Sequence, residues 1–290
     1  MPTRPMPTSA TAYSRSWRVV AGLLVALGRG SLLAMAFVLA FTETPLENPL
    51  RLLRTFVVAS AAPGLAAWLL ARVFAASVSV VDGLLVITRR DRRIEIPCDA
   101  IVALEAWRAP LPAPGVAFRL RSGARAAYGL ALAPPSALGV LVDAIAAGGG
   151  GDGVRTAART PAAAYAASRT DGTGRWYRPL LQYVAFALVL ALPLFRLHQW
   201  VAYGGTFGEY YTYGLRAYLL GFAAYWWTLA IYLVLWSTVL RVLVEAVVLA
   251  TAWTASPAAA RARRLAERAY WIAFVGGVPL FLLRVALLAA

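Results

Sequence analysis

Long apolar runs, separated by short polar segments, dominate both ends of the chain. A helix that crosses a hydrocarbon core of about 30 Å needs roughly 20 mostly apolar residues. Five stretches suit such a helix: Val19–Phe41, Thr55–Phe74, Leu180–Phe195, Ala217–Val239 and Tyr270–Leu288. The pattern therefore predicts an α-helical polytopic membrane protein with about five transmembrane helices. The first stretch is longer than the core of a cleaved signal peptide, which favours a retained anchor over that alternative.

The fourth stretch allows two interpretations, because the chain stays apolar from Ala217 to Trp253. Two crossings here would place the arginines of residues 261–268 outside the cell, against the bias that keeps arginine in the cytoplasm. We therefore expect one crossing, continued by a partly buried segment that contains Arg241 and Glu245. Six crossings remain the alternative.

Between the second and third apolar stretches the pattern changes from continuous to alternating, which is typical of half-buried strands. Asp82-Gly83 is a hairpin-turn signal between two such strands, and Ser136 is a candidate N-cap for a following amphipathic helix. The predicted strands cover residues 77–81, 84–88, 93–96, 101–107, 115–121 and 125–130, and the helix covers 137–147. This order predicts a small β-barrel or sandwich capped by a C-terminal helix.

The amino-acid sequence of this segment resembles those of the bacterial pleckstrin-homology-like domains that occur beside membrane spans. The resemblance rests on Val80-Val81-Asp82-Gly83-Leu84-Leu85-Val86-Ile87, on Ile94-Glu95-Ile96-Pro97 followed by Ile101, and on Phe118-Arg119-Leu120-Arg121-Ser122-Gly123. It covers about 70 of the 290 residues. The chain lacks the lysine of the eukaryotic phosphate pocket, so the resemblance implies the fold without lipid-headgroup binding.

The chain accordingly divides into four parts. Residues 1–75 form an N-terminal tail and two transmembrane helices, and residues 76–147 form the cytoplasmic PH-like domain. Residues 148–175 are rich in glycine and alanine and are expected to be a flexible linker, because they offer little apolar area to offset the entropy of ordering. Residues 176–290 carry three further transmembrane helices, with an outer loop rich in tyrosine and glycine at 197–216.

Charge gives the direction of insertion. The chain is 61% hydrophobic with a net charge of +15, and all 28 basic residues are arginine. The region from Arg72 to Arg178 contains 14 arginines and eight acidic residues. An arginine excess marks the cytoplasmic side, so we expect a multi-pass protein of the bacterial inner membrane with its N-terminus in the cytoplasm and its C-terminus outside.

Composition also excludes several kinds of chemistry. Without lysine there is no Schiff-base or P-loop chemistry. A single histidine, His198, and a single cysteine, Cys98, exclude intramolecular disulfides and Cys₂His₂ zinc sites. We expect no cofactor, no metal, no catalytic residue and no nucleic-acid partner, and we expect Cys98 to be a buried apolar residue.

Three ionisable residues are candidates for a polar site within the apolar stretches. Arg29 lies near the middle of the first stretch, where a charge is costly and is a functional hypothesis by default; Glu245, Glu209 or a lipid phosphate is its expected partner. Arg241 and Glu245 are four residues apart and are expected to neutralise each other on one helix face. Structural pairing is the competing interpretation for all three.

The outer segment from His198 to Gly214 concentrates the histidine, the carboxylate of Glu209, and tyrosines that include Tyr210 and Tyr211. A histidine and a carboxylate together suit acid–base work. Tyrosines with glycines also suit a binding surface. Aromatic residues are equally expected at any membrane interface, so an interfacial belt remains the third interpretation.

Two basic clusters are candidates for contact with the membrane surface, since each basic residue near an anionic surface contributes about 1 kcal/mol of attraction. They are Arg89, Arg90, Arg92 and Arg93 in one turn, and Arg261, Arg263 and Arg264 before the last apolar stretch.

Two functions follow as hypotheses. The first is a non-enzymatic inner-membrane protein, an accessory, assembly or scaffold subunit whose PH-like domain contacts a protein partner or the inner leaflet. Its expected partners are the lipid bilayer and either another membrane protein or a second copy of the chain. The alternative is a small transporter or intramembrane enzyme, with a polar site formed by Arg29, Glu245 and the His198–Glu209 segment.

Overall fold

The structure is a computed structural model that describes residues 8–41, 48–90, 92–107, 110–169 and 178–289, with side chains as far as residue 277 except at residue 158. The chain divides into two compact units. One comprises Met1–Ala26, Pro63–Gly172 and Val242–Ala290, and the other comprises Leu27–Ala62 and Thr173–Arg241.

Apart from two short 3₁₀ helices at Cys98–Ala100 and Ser256–Ala258, the described residues form eight helices and seven strands. The helices are α1 (Arg15–Phe41), α2 (Pro49–Val73), α3 (Ala137–Ala147), α4 (Asp152–Ala158), α5 (Pro161–Ser168), α6 (Leu180–Tyr203), α7 (Gly208–Thr254) and α8 (Ala259–Ala289). The strands are β1 (Thr8–Ser14), β2 (Ala75–Val81), β3 (Leu84–Arg89), β4 (Arg92–Pro97), β5 (Ile101–Ala106), β6 (Gly115–Leu120) and β7 (Tyr128–Ala133).

Within the part of the chain whose side chains are described, four helices are long and apolar enough to cross a membrane: α1, α2, α6 and α7. The fifth predicted crossing, Tyr270–Leu288, falls largely on residues 278–289, outside the described side chains, and stays a prediction. The range α7 comprises two helical segments joined at Gly214, whose φ of 84° and ψ of 173° are not helical; the second, residues 215–254, is about 60 Å long at 1.5 Å per residue. That length exceeds one crossing, and the single crossing plus continuation expected from the sequence stays a prediction.

The seven strands form one curled antiparallel sheet in the order β4-β3-β2-β1-β7-β6-β5. The six strands and the helix predicted between residues 77 and 147 are all present. The buried face of α3 presents Leu138, Leu141, Val142 and Ile145, as its spacing predicts. These side chains join a core with residues of the sheet that include Leu85, Ile87, Ile101, Phe118 and Leu130.

The seventh strand comes from the segment before the first helix. The sequence predicts an N-terminal tail for this segment. Strand β1 lies between β2 and β7, pairing Thr11 with Ala75 and Ser14 with Tyr128. Ala10 and Ala12 are buried there, because small side chains fit where neighbouring strands and the core approach closely. The boundary of the β domain at residue 76 was therefore wrong, since Thr8–Ser14 belongs to the sheet.

The prediction of a flexible linker over residues 148–175 was also wrong for residues 152–168, which form α4 and α5; residues 170–177 lie outside the described residues. Thr160 caps α5 by accepting a hydrogen bond from the Ala163 N–H at 3.2 Å, and Pro161 begins the helix. Alanine favours helix. Gly153 lies so close to β5 that a Cβ there would be 2.7 Å from the Val102 carbonyl oxygen, so this glycine serves contact rather than flexibility.

In the second unit, polar groups join α1 to α2. Ser31 of α1 donates to the Ala59 carbonyl at 2.7 Å and lies 2.7 Å from the Ser60 hydroxyl of α2. Ser60 lies in a π-helical segment, Val57–Ala61, where the wider turn alters the direction of backbone groups. The predicted outer loop at 197–216 is much shorter than expected, because α6 continues to Tyr203 and α7 begins at Gly208, leaving a turn of four residues.

Candidate functional site

Among the described residues of the first unit, the carboxylate of Glu245, in the continuation of α7, accepts the largest set of hydrogen bonds from other side chains. Arg169 donates to its Oε1 at 3.0 Å, and Arg263 donates to both oxygens, at 3.2 Å and 2.8 Å. The Tyr165 hydroxyl donates to Oε2 at 2.6 Å. We call Tyr165, Ser168, Arg169, Glu245 and Arg263 the Glu245 cluster; it joins α5 and the residue that follows it to α7 and α8.

Burial makes this cluster stronger than a surface ion pair. Arg263 is only 7% exposed, and its Nε donates to the Ser168 hydroxyl at 3.2 Å. The guanidinium carbons of Arg169 and Arg263 lie 5.5 Å and 5.8 Å from the centre of the Tyr165 ring, within cation–π range. Burial raises the pKa of the Tyr165 hydroxyl, and its hydrogen bond to Glu245 raises it further. The phenol therefore stays protonated and acts as a hydrogen-bond donor.

Two sequence predictions bear on this cluster. Arg263 was predicted at the membrane surface, which is wrong, because its guanidinium is buried against Glu245; Arg261 and Arg264 are exposed. The predicted pairing of Glu245 with Arg241 stays a prediction, while the structure adds Arg169 and Arg263 as ion-pair partners. Sequence reasoning missed Tyr165, Ser168 and Arg169, because they lie in the segment interpreted as a linker.

In the second unit, Glu209 forms a reciprocal pair with Gln199 rather than the predicted acid–base pair with His198. The Gln199 amide donates to Glu209 Oε2 at 2.7 Å, and the Glu209 backbone N–H donates to Gln199 Oε1 at 3.1 Å. Gln199 is fully buried. The pair joins the end of α6 to the start of α7 and satisfies an N–H of the first turn, where a helix leaves such groups without an internal partner.

His198 is partly buried among aromatic rings. Its ring centre lies 5.2 Å from that of Tyr225 and 6.2 Å from that of Tyr203. Tyr210 and Tyr211 are exposed, Tyr211 by 80%. These positions agree with an aromatic surface more closely than with a catalytic pair, although the binding role of Tyr210 and Tyr211 stays a prediction.

Arg29 is exposed on α1. Among the described residues it makes no ion pair, so the structure identifies no carboxylate partner for it. Its predicted partners have contacts of their own, Glu209 with Gln199 and Glu245 with two arginines.

The basic turn between β3 and β4 is tied to the end of a candidate membrane helix. Arg89 pairs with Ala76 in the sheet, and Ala76 lies three residues after Val73, where α2 ends. The Arg89 guanidinium lies 4.5 Å from the centre of the Phe74 ring, between α2 and β2. Arg90 and Arg92 are exposed, and Arg93 pairs with Glu95 at 2.6 Å. The sheet therefore holds this turn at the end where the chain enters it from α2.

Comparison of the chain with protein-family models, with curated proteins and with solved structures finds no match.

Proposed function

We propose that the protein is a non-enzymatic, multi-pass protein of the bacterial inner membrane, a scaffold or accessory subunit whose cytoplasmic β module contacts the inner leaflet. One observation carries the proposal: the sheet continues directly into two helices that are apolar enough to cross a membrane. Strand β1 ends at Ser14 and α1 begins at Arg15, while α2 ends at Val73 and β2 begins at Ala75. No linker separates the module from its anchors.

Strand pairing supports an even number of crossings between the first and second strands of the module. Because β1 and β2 are hydrogen-bonded neighbours, α1 and α2 between them must leave one side of the membrane and return to it. The contact of Arg169 with Glu245 imposes the same condition on α6 and α7. The arginines of residues 72–178 and 261–268 then share one side, and the arginine bias makes that side the cytoplasm. A fifth crossing by α8 puts the C-terminus outside.

The sheet order also supports assigning the module to the PH-like class. A curled antiparallel sheet of seven strands is followed directly by α3, which packs into its core. The module would differ from a contiguous domain in one respect, because two helices are inserted between its first and second strands.

The basic turn supports contact with the leaflet. Arg90 and Arg92 are exposed at the end of the sheet that follows α2. Anionic headgroups attract juxtamembrane arginines by about 1 kcal/mol each. Val81 lies at the opposite end of the β2–β3 hairpin. It is five residues beyond Ala76, the residue that pairs with Arg89, and is therefore about 17 Å from the basic turn.

The distance between Val81 and the basic turn gives a direct test of contact with the leaflet. Arg90→Cys and Val81→Cys variants are labelled with a fluorophore and reconstituted in vesicles that carry a nitroxide quencher on the headgroup; Cys98 is buried and does not compete. We expect strong quenching at position 90 and weak quenching at 81. Adding Arg92→Glu to the position-90 variant should reduce quenching in vesicles containing anionic lipid. Equal quenching at both positions, or none at 90, would refute contact with the leaflet.

The exposed Val81→Cys variant also tests orientation. In intact cells a membrane-impermeant maleimide should not label position 81, and permeabilisation should restore labelling. Labelling of position 81 in intact cells would show that the module lies outside, the reverse of the proposed topology.

A further inference from the structure

The first unit contains an apolar cavity of 360 Å³ between the sheet, α5 and the end of α7. Its lining includes Trp107, which follows β5, Leu138 of α3, Ala162 and Tyr165 of α5, and Leu249 and Trp253 of α7. Its volume lies in the range of small-molecule sites, about 300 to 1,000 Å³.

The carboxylate and hydroxyl groups that line the cavity already have partners, and the buried indole N–H of Trp107 is a single donor without a hydrogen-bond partner among the described residues. Glu105 is ion-paired with both Arg119 and Arg125. The Tyr165 hydroxyl donates into the Glu245 cluster, and the Thr160 hydroxyl accepts the capping hydrogen bond of α5. A polar ligand would lose its bonds to water and find few replacements here, whereas a hydrocarbon chain would lose none.

The walls of the cavity are continuous with helices that are apolar enough to cross a membrane. Trp107 lies under Arg18 of α1, whose guanidinium carbon is 4.8 Å from the ring centre. The loop that follows Trp107 also reaches α1, where a Cβ at Gly22 would lie 3.7 Å from the Leu111 Cβ. On the other wall, Trp253 is part of α7 and is 66% exposed. The cavity is therefore beside the first turns of α1 and the last turns of α7.

From its lining, size and position we infer that this cavity binds the hydrocarbon chain of a membrane lipid. The chain enters past Trp253 and packs against Leu138 and Ala162, so that a lipid molecule contacts the sheet and α5 together. This site is separate from the proposed contact between the basic turn and the leaflet, and either can be wrong without the other.

Photocrosslinking in native membranes identifies the occupant. Benzoylphenylalanine is placed at Ala162, which lines the cavity, or at Ala167, which is exposed on the same helix. We expect an adduct of lipid mass at 162 and little at 167. Since a bulky group at 162 occupies part of the cavity, the same residue at Leu249 provides a second position on its rim.

Other occupants give different masses. A gain of 31.1 kDa would identify a second copy of the chain, and any other protein mass would identify a protein partner; either would overturn the inference. Equal lipid adducts at 162 and 167, or none at both 162 and 249, would overturn it as well.

Affinity provides an independent measurement. Burial of one methylene strengthens binding about fourfold, so an Ala162→Trp variant should bind a dansyl-labelled undecanoic acid more weakly, by about fourfold for each methylene that the indole ring displaces. The matched Ala167→Trp variant should bind it like the unaltered protein. Equal affinity of the two variants would contradict a chain in the cavity.

Discussion

Replacing Glu245 by glutamine tests a carboxylate that accepts hydrogen bonds from Tyr165, Arg169 and Arg263. The substitution keeps the shape of the side chain and removes its charge. Arg263, whose side chain is 8% exposed, then keeps only Glu267, at 3.8 Å, as an acidic neighbour, and Arg169 loses its carboxylate. The perturbation therefore leaves a buried cation with little compensation.

The expected loss follows from burial. Breaking a fully buried ion pair by removing one partner costs about 3–5 kcal/mol, whereas an exposed pair contributes about 0–1 kcal/mol. The Glu245 side chain is 31% exposed, so an intermediate loss of about 2–3 kcal/mol is expected. At roughly 2 °C per kcal/mol for a chain of this size, Tm should fall by about 5 °C.

The assay is thermal unfolding in a mild detergent, combined with hydrogen exchange of the peptide that covers α5. Because Glu245 holds Tyr165 and Arg169, exchange in α5 should accelerate in Glu245→Gln. The matched control is Glu267→Gln, since Glu267 is a weaker partner of the same arginine at 3.8 Å, and it should change Tm much less.

A compensating variant separates the charge effect from a packing effect. Adding Arg263→Met to Glu245→Gln removes the uncompensated buried cation and should recover much of the lost stability. If Glu245→Gln and Glu267→Gln lower Tm equally, or if the double variant is no more stable than Glu245→Gln, the electrostatic reasoning is wrong.

Three further outcomes are expected. Gly115→Ala should destabilise the protein by about 1–3 kcal/mol in thermal unfolding, because the new Cβ would lie 2.5 Å from a β7 carbonyl oxygen, whereas Gly139→Ala, with nothing within 4 Å, should not. Burial raises the pKa of the Cys98 thiol, so its thiolate fraction at pH 8 is lower than that of an exposed cysteine and its reaction with a disulfide reagent should accelerate only on unfolding. Gln199→Leu should leave Glu209 without its amide partner and increase proteolysis at residues 204–207; an unchanged digestion pattern would contradict the role of this pair.

The strands between residues 77 and 130 were predictable because their periodicity is local. Asp82-Gly83 marks a turn, and both residues have the positive φ that this signal indicates. Strand β1 was not predictable in the same way. Its partners Ala75–Val78 and Tyr128–Ala133 lie far along the chain, and its own alternating residues are alanines, whose strand preference is weak. Only the tertiary context makes Thr8–Ser14 a strand.

The candidate site shows the same limit. Glu245 was identifiable as an ionisable residue in an apolar run, but its partners were not. Arg263 was one of several arginines in a row, and the sequence does not indicate that only Arg263 of the three at 261, 263 and 264 points inward. Tyr165 and Arg169 lie in a segment whose composition predicts a flexible linker. In the structure Ala157, Ala163 and Ala166 of this segment are buried in the core.

The insertion of two helices between β1 and β2 has a consequence for synthesis. Strand β1 leaves the ribosome before either of its neighbours, and β7, on its other side, is complete only at residue 133. Strand β1 therefore has no partner until β2 is complete at residue 81, and its second edge stays open until β7 follows. If residues 8–14 fail to return, β2 and β7 both keep open edges, which are templates for aggregation. Correct assembly of the sheet therefore requires β1 to stay on the side of the membrane where β2 and β7 emerge until translation has passed residue 133.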